Sequence, residues 1–183
     1  METYISILRG INVGGQKKVL MVDLKRLFSE LNFKNIRTYI QSGNVVFNCE
    51  KTNPIQLVGQ IENGILEKLK FHVSVIIRTT LELKEVIRNN PYLKESNIDV
   101  EKLHVTFLSD EPEKKKTEEI KEYNFSPDQF ICINKEVYIY CPNGYGNTKL
   151  NNAFFENKLN VSATTRNVKT VNELVRIAEF AIQ

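Results

Sequence analysis

The segment Leu8-Arg9-Gly10-Ile11-Asn12-Val13-Gly14-Gly15-Gln16-Lys17-Lys18 combines three glycines with three basic residues and contains no acid. Loops of this kind turn successive backbone N–H groups toward one point, which is a way of holding an anion. Gly10, Gly14 and Gly15 admit the positive φ angles that such a nest needs. Arg9, Lys17 and Lys18 balance the charge, and Asn12 adds a polar side chain to the same turn. The spacing fits neither the dinucleotide fingerprint nor the Walker pattern. A tight strand-to-helix turn with solvated basic side chains accounts for the same residues.

A second basic, hydroxyl-rich stretch, Thr164-Thr165-Arg166-Asn167-Val168-Lys169-Thr170, reads as a loop near the other end of the chain. The planar fork of Arg166 suits phosphate or carboxylate, with Thr165 and Asn167 serving the remaining oxygens. Lys149, in Gly146-Asn147-Thr148-Lys149, follows a helix-start signal and is a further candidate for the same place, with a solvated helix start the favoured account. The competing account pairs Arg166 with a structural carboxylate. Other chemistry is harder to assemble. His72 and His104 have no Cys, His or acid at metal-ligand spacing, so no metal is assigned. Neither has a neighbouring nucleophile, so catalytic residues and cofactor stay unassigned.

Several features read as scaffold. Lys114-Lys115-Lys116 is balanced by Glu111, Glu113, Glu118 and Glu119 and reads as a solvated helix face. Tyr138, Tyr140 and Tyr145 lie on or after a strand, a pattern of half-buried packing. Gln41-Ser42-Gly43-Asn44 is a hairpin turn. In a ferredoxin-like unit that turn is expected at the opposite end of the strands from the Gly-rich loop, which argues against a site shared by the two.

The 183 residues, 42% hydrophobic and 26% charged, describe a folded chain with a sizeable core. The net charge of +3 is uneven: residues 1–98 carry 14 Lys+Arg against 9 Asp+Glu, and residues 99–183 carry 11 against 13. The basic excess therefore lies with the Gly-rich loop, compatible with an acidic ligand but far from a dense nucleic-acid stripe. No apolar run approaches membrane-spanning length, and the N-terminus lacks signal-peptide features. Cys49, Cys132 and Cys141 suit reduced thiols. The expected compartment is the cytoplasm, with no membrane partner.

The patterning predicts strands over 4–8, 36–41, 45–48, 73–77, 103–108, 129–133, 137–140 and 161–163. Helices are predicted over about 21–31, from Pro54 to Leu69, and over 81–89, 111–122, 149–158 and 171–182. Thr170 with Glu173 is read as a capping box at the start of the last helix. The buried face of that helix is assigned to Val171, Leu174, Val175, Ala178 and Ile182. Each half then runs β-α-β-β-α-β with an extra helix. The expected fold class is α+β, two ferredoxin-like halves packed together in a duplicated topology, residues 1–95 and 96–183.

Tyr4-Ile-Ser-Ile-Leu-Arg-Gly-Ile-Asn-Val-Gly-Gly15 followed by Met21-Val-Asp-Leu24 resembles the opening of the domain-of-unknown-function 1697 family. Thr38-Tyr-Ile-Gln-Ser-Gly-Asn-Val-Val-Phe47 is similar to a second signature of that family. Tyr145-Gly-Asn-Thr-Lys-Leu150 and Ala163-Thr-Thr-Arg-Asn-Val-Lys-Thr-Val171 resemble its C-terminal ones. Val168 departs from the pattern, which carries an aromatic residue after Arg-Asn. The resemblance implies an α+β fold of two ferredoxin-like units and no established activity. Four functional readings follow from the residues: a module binding a small anionic or nucleotide-like ligand, an RNA or single-stranded nucleic-acid binder, an enzyme acting on a phosphorylated or carboxylated substrate, and a protein-interaction scaffold with no small-molecule site. The first is preferred, because binding groups are more evident than reactive ones.

Overall fold

A computed structural model of the chain describes residues 1–15 and 17–181. These contain two four-stranded antiparallel sheets and six α-helices, an α+β architecture. The chain forms two compact units, Met1–Lys84 together with the stretch from Glu173, and Glu85–Asn172. The boundaries fall inside helices α3 (Thr80–Arg88) and α6 (Val168–Phe180) and not near residue 95. The later turns of α6 thus belong to the first unit. Sequence order cannot reveal this, because the segment is far along the chain from the strands it joins.

The first unit is built from β1 (Glu2–Leu8), α1 (Met21–Glu30), β2 (Lys34–Tyr39), β3 (Asn44–Cys49), α2 (Pro54–Leu69) and β4 (Val75–Thr79), with sheet order β2-β3-β1-β4. β1 is central and buried from Thr3 to Leu8, so its residues are chosen for covering on both faces. Helix α2 begins where the Asn53 side chain accepts from the Ile55 N–H, with Pro54 in the first turn. Its buried stripe is Leu57, Ile61 and Ile65. Leu24, Leu27 and Phe28 of α1 meet Phe33 and Phe47 in an aromatic core, with the Phe33 and Phe47 rings 4.4 Å apart.

The register pairs Ile7 of β1 with Asn44 of β3. The end of β1 therefore lies beside the start of β3, and the Leu8 N–H donates to Gly43 O at 2.8 Å. This corrects the expectation that the Gly-rich loop and the β2–β3 turn sit at opposite ends. Antiparallel pairing of these two strands requires the reverse.

The second unit contains β5 (Leu103–Leu108), α4 (Lys114–Ile120), β6 (Gln129–Ile133), β7 (Glu136–Tyr140), α5 (Asn152–Leu159) and β8 (Ala163–Asn167), in sheet order β6-β7-β5-β8. Its core gathers Leu108, Ile120, Val137, Ile139, Leu150, Phe155 and Leu159. Thr164-Thr165-Arg166-Asn167 is strand here, not loop: β8 pairs with β5 through Thr106↔Thr165 and Val105↔Arg166. Threonine is β-branched and suits a pleated surface, and its polarity conceals the alternation that an apolar strand would display.

Helix α6 starts at Val168, two residues ahead of Thr170, so the predicted capping box does not mark its start. Asn167 Oδ1 instead accepts from the Lys169 N–H at 2.8 Å. A reciprocal box stands in front of α3: the Glu82 N–H donates to Thr79 Oγ1, and Glu82 Oε2 accepts from the Thr79 N–H. Val171, Leu174, Val175 and Ala178 are buried as expected; Ile182 lies outside the described residues. No described helix is long and apolar enough to cross a membrane.

Candidate functional site

The loop after β1 turns sharply because Gly10, Asn12, Gly14, Gly15 and Lys17 all have positive φ, at 66°, 56°, 59°, 77° and 45°. Positive values at Gly10, Asn12 and Gly14 alternate with negative ones at Ile11 and Val13, the sign pattern of a backbone nest. A Cβ on Gly10, Gly14 or Gly15 would meet nothing within 4 Å. The glycines therefore serve backbone conformation, and the space beside them is open.

Asn12 holds the loop shut. Its N–H donates to Lys17 O at 3.2 Å, and its Oδ1 accepts from the Val19 N–H at 2.8 Å. Its Nδ2 donates to Val19 O and to Gln41 O, at 2.9 and 2.8 Å. Both ends of this side chain are engaged, and they tie the loop to the β2–β3 turn. Lys17 Nζ donates to His72 O at 2.8 Å and lies 6.0 Å from the Phe71 ring centre. The Arg9 N–H donates to Ser74 O at 2.9 Å at the end of β1. Asn12, Gly15, Lys18, Val19, Leu20, Met21 and Gln41 line a cleft of about 370 Å³. Lys18 is the charged side chain among them.

The remaining sequence-predicted residues lie in the second unit. Arg166 is only 8% exposed on β8, and its guanidinium donates to Thr164 Oγ1 at 3.0 Å and Thr165 O at 2.8 Å. Burial pushes its pKa down to about 10, with Tyr145 opposing the shift. It stays cationic at neutral pH. The Thr165 hydroxyl donates its one proton to Asn152 Oδ1 at 2.7 Å. It therefore accepts from the Tyr145 hydroxyl at 2.9 Å and from Thr106 Oγ1 at 2.7 Å. Tyr145 in turn stacks on His104, with ring centres 4.6 Å apart.

His104 Nδ1 lies 3.2 Å from Lys102 O. A carbonyl only accepts, so Nδ1 carries the proton. Burial lowers the His104 pKa and favours the neutral ring. Asn167 is engaged at both ends of its amide, donating to Glu101 O at 2.8 Å and accepting from Lys169. These groups satisfy one another, so they brace the β5–β8 pair. Lys149 is exposed and lines a different cleft of about 310 Å³ with Asp128, Asn143 and Asn147.

The structure thus brings Thr165, Arg166 and Asn167 onto one strand, and Gly10 to Lys17 into one loop. Thr106 and Asn152 escaped the reading of the chain, because only the β5–β8 register and the start of α5 set them beside Thr165. Val168, the departure from the family pattern, is 2% exposed at the first position of α6. It serves there as packing.

The match to the family described as protein of unknown function DUF1697 covers residues 1–138, and the chain belongs to that family. The two C-terminal motifs fall beyond the matched stretch. Among solved structures, the chain is similar to a conserved bacterial protein, SP0830 from Streptococcus pneumoniae. The identity is 20%, the TM-score 0.73, and the alignment covers 97% of this chain and 98% of that one. At that identity the likeness concerns the fold. No curated protein matches the chain.

Proposed function

We propose that the first unit binds a small anionic or nucleotide-like ligand at the Gly10–Lys18 loop. The carrying observation is the alternation of φ sign through Gly10, Ile11, Asn12, Val13 and Gly14, which turns N–H groups of this stretch toward a common side; the Asn12 N–H is given to Lys17 O, so the neighbouring amides are the donors offered to the ligand. Lys18 supplies charge at the adjoining cleft, and no acidic side chain is among the residues lining it. Asn12 and Lys17 act by shaping the loop, because their side chains are bonded within the protein. Arg166, Thr165 and Asn167 act as structural supports of the second unit. We also read each unit as ferredoxin-like, since both sheets share one strand order, and the protein as cytoplasmic.

The test is a thermal-shift series of the wild type, Lys18→Ala and Gly14→Val against phosphate, sulfate, nucleotides and a short RNA. A ligand at about 100 times its dissociation constant stabilises by roughly 2.7 kcal/mol. For a chain of this size that is a rise of about 5–11 °C. The rise is expected with a small anion, reduced by Lys18→Ala and lost in Gly14→Val, whose side chain strains the nest. A rise with RNA alone that collapses steeply with salt would replace this reading by nucleic-acid binding. No rise with any anion refutes it.

A further inference from the structure

The sheet of the second unit ends on β6, which pairs with β7 alone. A strand edge is a row of unpaired N–H and C=O groups, which proteins ordinarily blunt with charge or proline. Each of the other three edge strands contains a charged residue: Lys34 and Arg37 in β2, Arg78 in β4 and Arg166 in β8. β6, Gln129-Phe130-Ile131-Cys132-Ile133, has neither charge nor proline. Ile131 and Ile133 are exposed on it.

The pairing shows which backbone groups of β6 face outward. The Leu108 N–H donates to Lys135 O at 2.8 Å, and Phe107 stands opposite Glu136. Phe107 and Glu136 are therefore a non-hydrogen-bonded pair, and Glu136 turns its N–H and C=O away from β5, toward Ile133 of β6. The direction alternates along a strand. Gln129, Ile131 and Ile133 thus bond β7, while Phe130 and Cys132 point theirs at the free edge. No hydrogen bond from another described segment reaches the backbone of Phe130 or Cys132.

A cleft of about 630 Å³ runs along this edge. On one face of the sheet its wall is Gln129, Ile131 and Tyr92, whose ring lies beside Tyr140. On the other face the wall is Phe130 with Tyr123 and Phe125, all three in ring contact with Phe154 of α5. A cleft walled from both faces occupies the place of the next strand. Its charged lining is Lys121, Glu122 and Asp128. The cations there are engaged: Lys121 pairs with Glu118 at 2.6 Å, and Lys158 sits over the Tyr123 ring at 4.8 Å. Glu122 and Asp128 have no ion-pair partner among the described residues.

We propose that β6 accepts an extended basic peptide as a fifth, antiparallel strand of this sheet. The peptide exchanges N–H···O bonds with Phe130 and Cys132, the mode of recognition by strand addition. Peptide residues opposite these two share their face, so their side chains lie on the side of Tyr123, Phe125 and Asp128. Basic side chains suit that side, meeting the two unpaired carboxylates and the aromatic rings. The alternate residues fall against Ile131 and Tyr92 and are apolar. The wall formed by Lys121 to Phe125 leaves room for one chain and favours a peptide over the edge of a second copy. This site is independent of the anion-binding loop, which lies in the first unit.

The experiment is an NMR titration of the isotope-labelled full chain with the blocked peptide Val-Lys-Val-Lys-Val. In the free protein, the Phe130 and Cys132 amides should exchange with solvent faster than those of Ile131 and Ile133. Saturable shifts are expected at Gln129 to Ile133, Tyr92 and Tyr123, with slowed exchange at Phe130 and Cys132. The same peptide N-methylated at both lysines loses the bonding N–H groups and should not bind. Val-Glu-Val-Glu-Val should bind about tenfold more weakly, and Glu122→Lys should weaken the lysine peptide about threefold. Cys132→Pro removes an outward N–H and no bond to β7, so it should fold and bind poorly; the N-methylated peptide tests the same bonds on the unaltered protein. No saturable shift, equal binding of the N-methylated or the acidic peptide, or unchanged affinity in Cys132→Pro would overturn the proposal. Protection of the Phe130 and Cys132 amides that grows with protein concentration would overturn it in favour of a second copy at this edge.

Discussion

His104 is held neutral by burial, stacked on Tyr145 and donating to Lys102 O. Its folded pKa lies below the ordinary value of 6.5. Over the interval between the two values the unfolded chain binds more protons, so stability rises with pH. The contribution is complete above the unfolded pKa and is lost as pH falls through that interval. Thermal unfolding from pH 7.5 down to pH 5 (about the range over which histidine titrates) should show a falling Tm. His104→Phe should flatten that slope relative to wild type; an unchanged slope would assign it to the carboxylates. Arg166 makes a complementary case. Arg166→Ala removes a buried donor from Thr164 Oγ1 and Thr165 O, and should cost about 1–3 kcal/mol. A mutant that melts like wild type would show that β8 does not depend on these bonds.

Turns and strand ends carry much of the first unit's specificity. Gly43 (φ +78°) receives the Leu8 N–H, and a Cβ there would lie 2.7 Å from Ile11 Cδ1 and 2.8 Å from Leu8 Cβ. Gly43→Ala combines left-handed strain, about 1–2 kcal/mol, with an overpacking cost of about 1–3 kcal/mol. Gly14 (φ +59°) has nothing within 4 Å of a built Cβ. Gly14→Ala should incur only the strain. Chemical denaturation of the two variants should place Gly43→Ala well below Gly14→Ala. Equal midpoints would mean that the β2–β3 turn relaxes away from Leu8. The contrast separates a glycine required by a close approach from one required by φ alone.

The first unit is closed by residues from the far end of the chain. Leu174, Val175, Ala178 and Ala181 are buried, Asn48 Nδ2 donates to Ala181 O, and Lys84 pairs with Glu179 at 2.7 Å. A fragment of residues 1–95 lacks all of these partners. It should be more susceptible to proteolysis than the full chain and should lose cooperative unfolding by circular dichroism. A fragment melting sharply at the full-chain temperature would show that the segment from Glu173 adds nothing to the first unit.

Local chemistry made much of the architecture legible. Leu103–Leu108 and Gln129–Ile133 are strands over the predicted residues, because short apolar and β-branched runs bounded by turn residues admit few alternatives. Asn53-Pro54 marks a helix start and Gly43 a turn for equally local reasons. The positive φ values in the Gly-rich loop belong to the same class. Burial and partnership were not legible in this way. Thr164–Arg166 reads as a polar loop until β5 pairs with it, and the pairing leaves Arg166 only 8% exposed. Asn12, Lys17, Thr165 and Asn167 looked available, yet each is engaged by groups that its own segment does not specify. Asn48 meets Ala181 across 133 residues of sequence. Residue type limits what a side chain can bond; the long-range pairing of strands decides which partner reaches it, and whether one does.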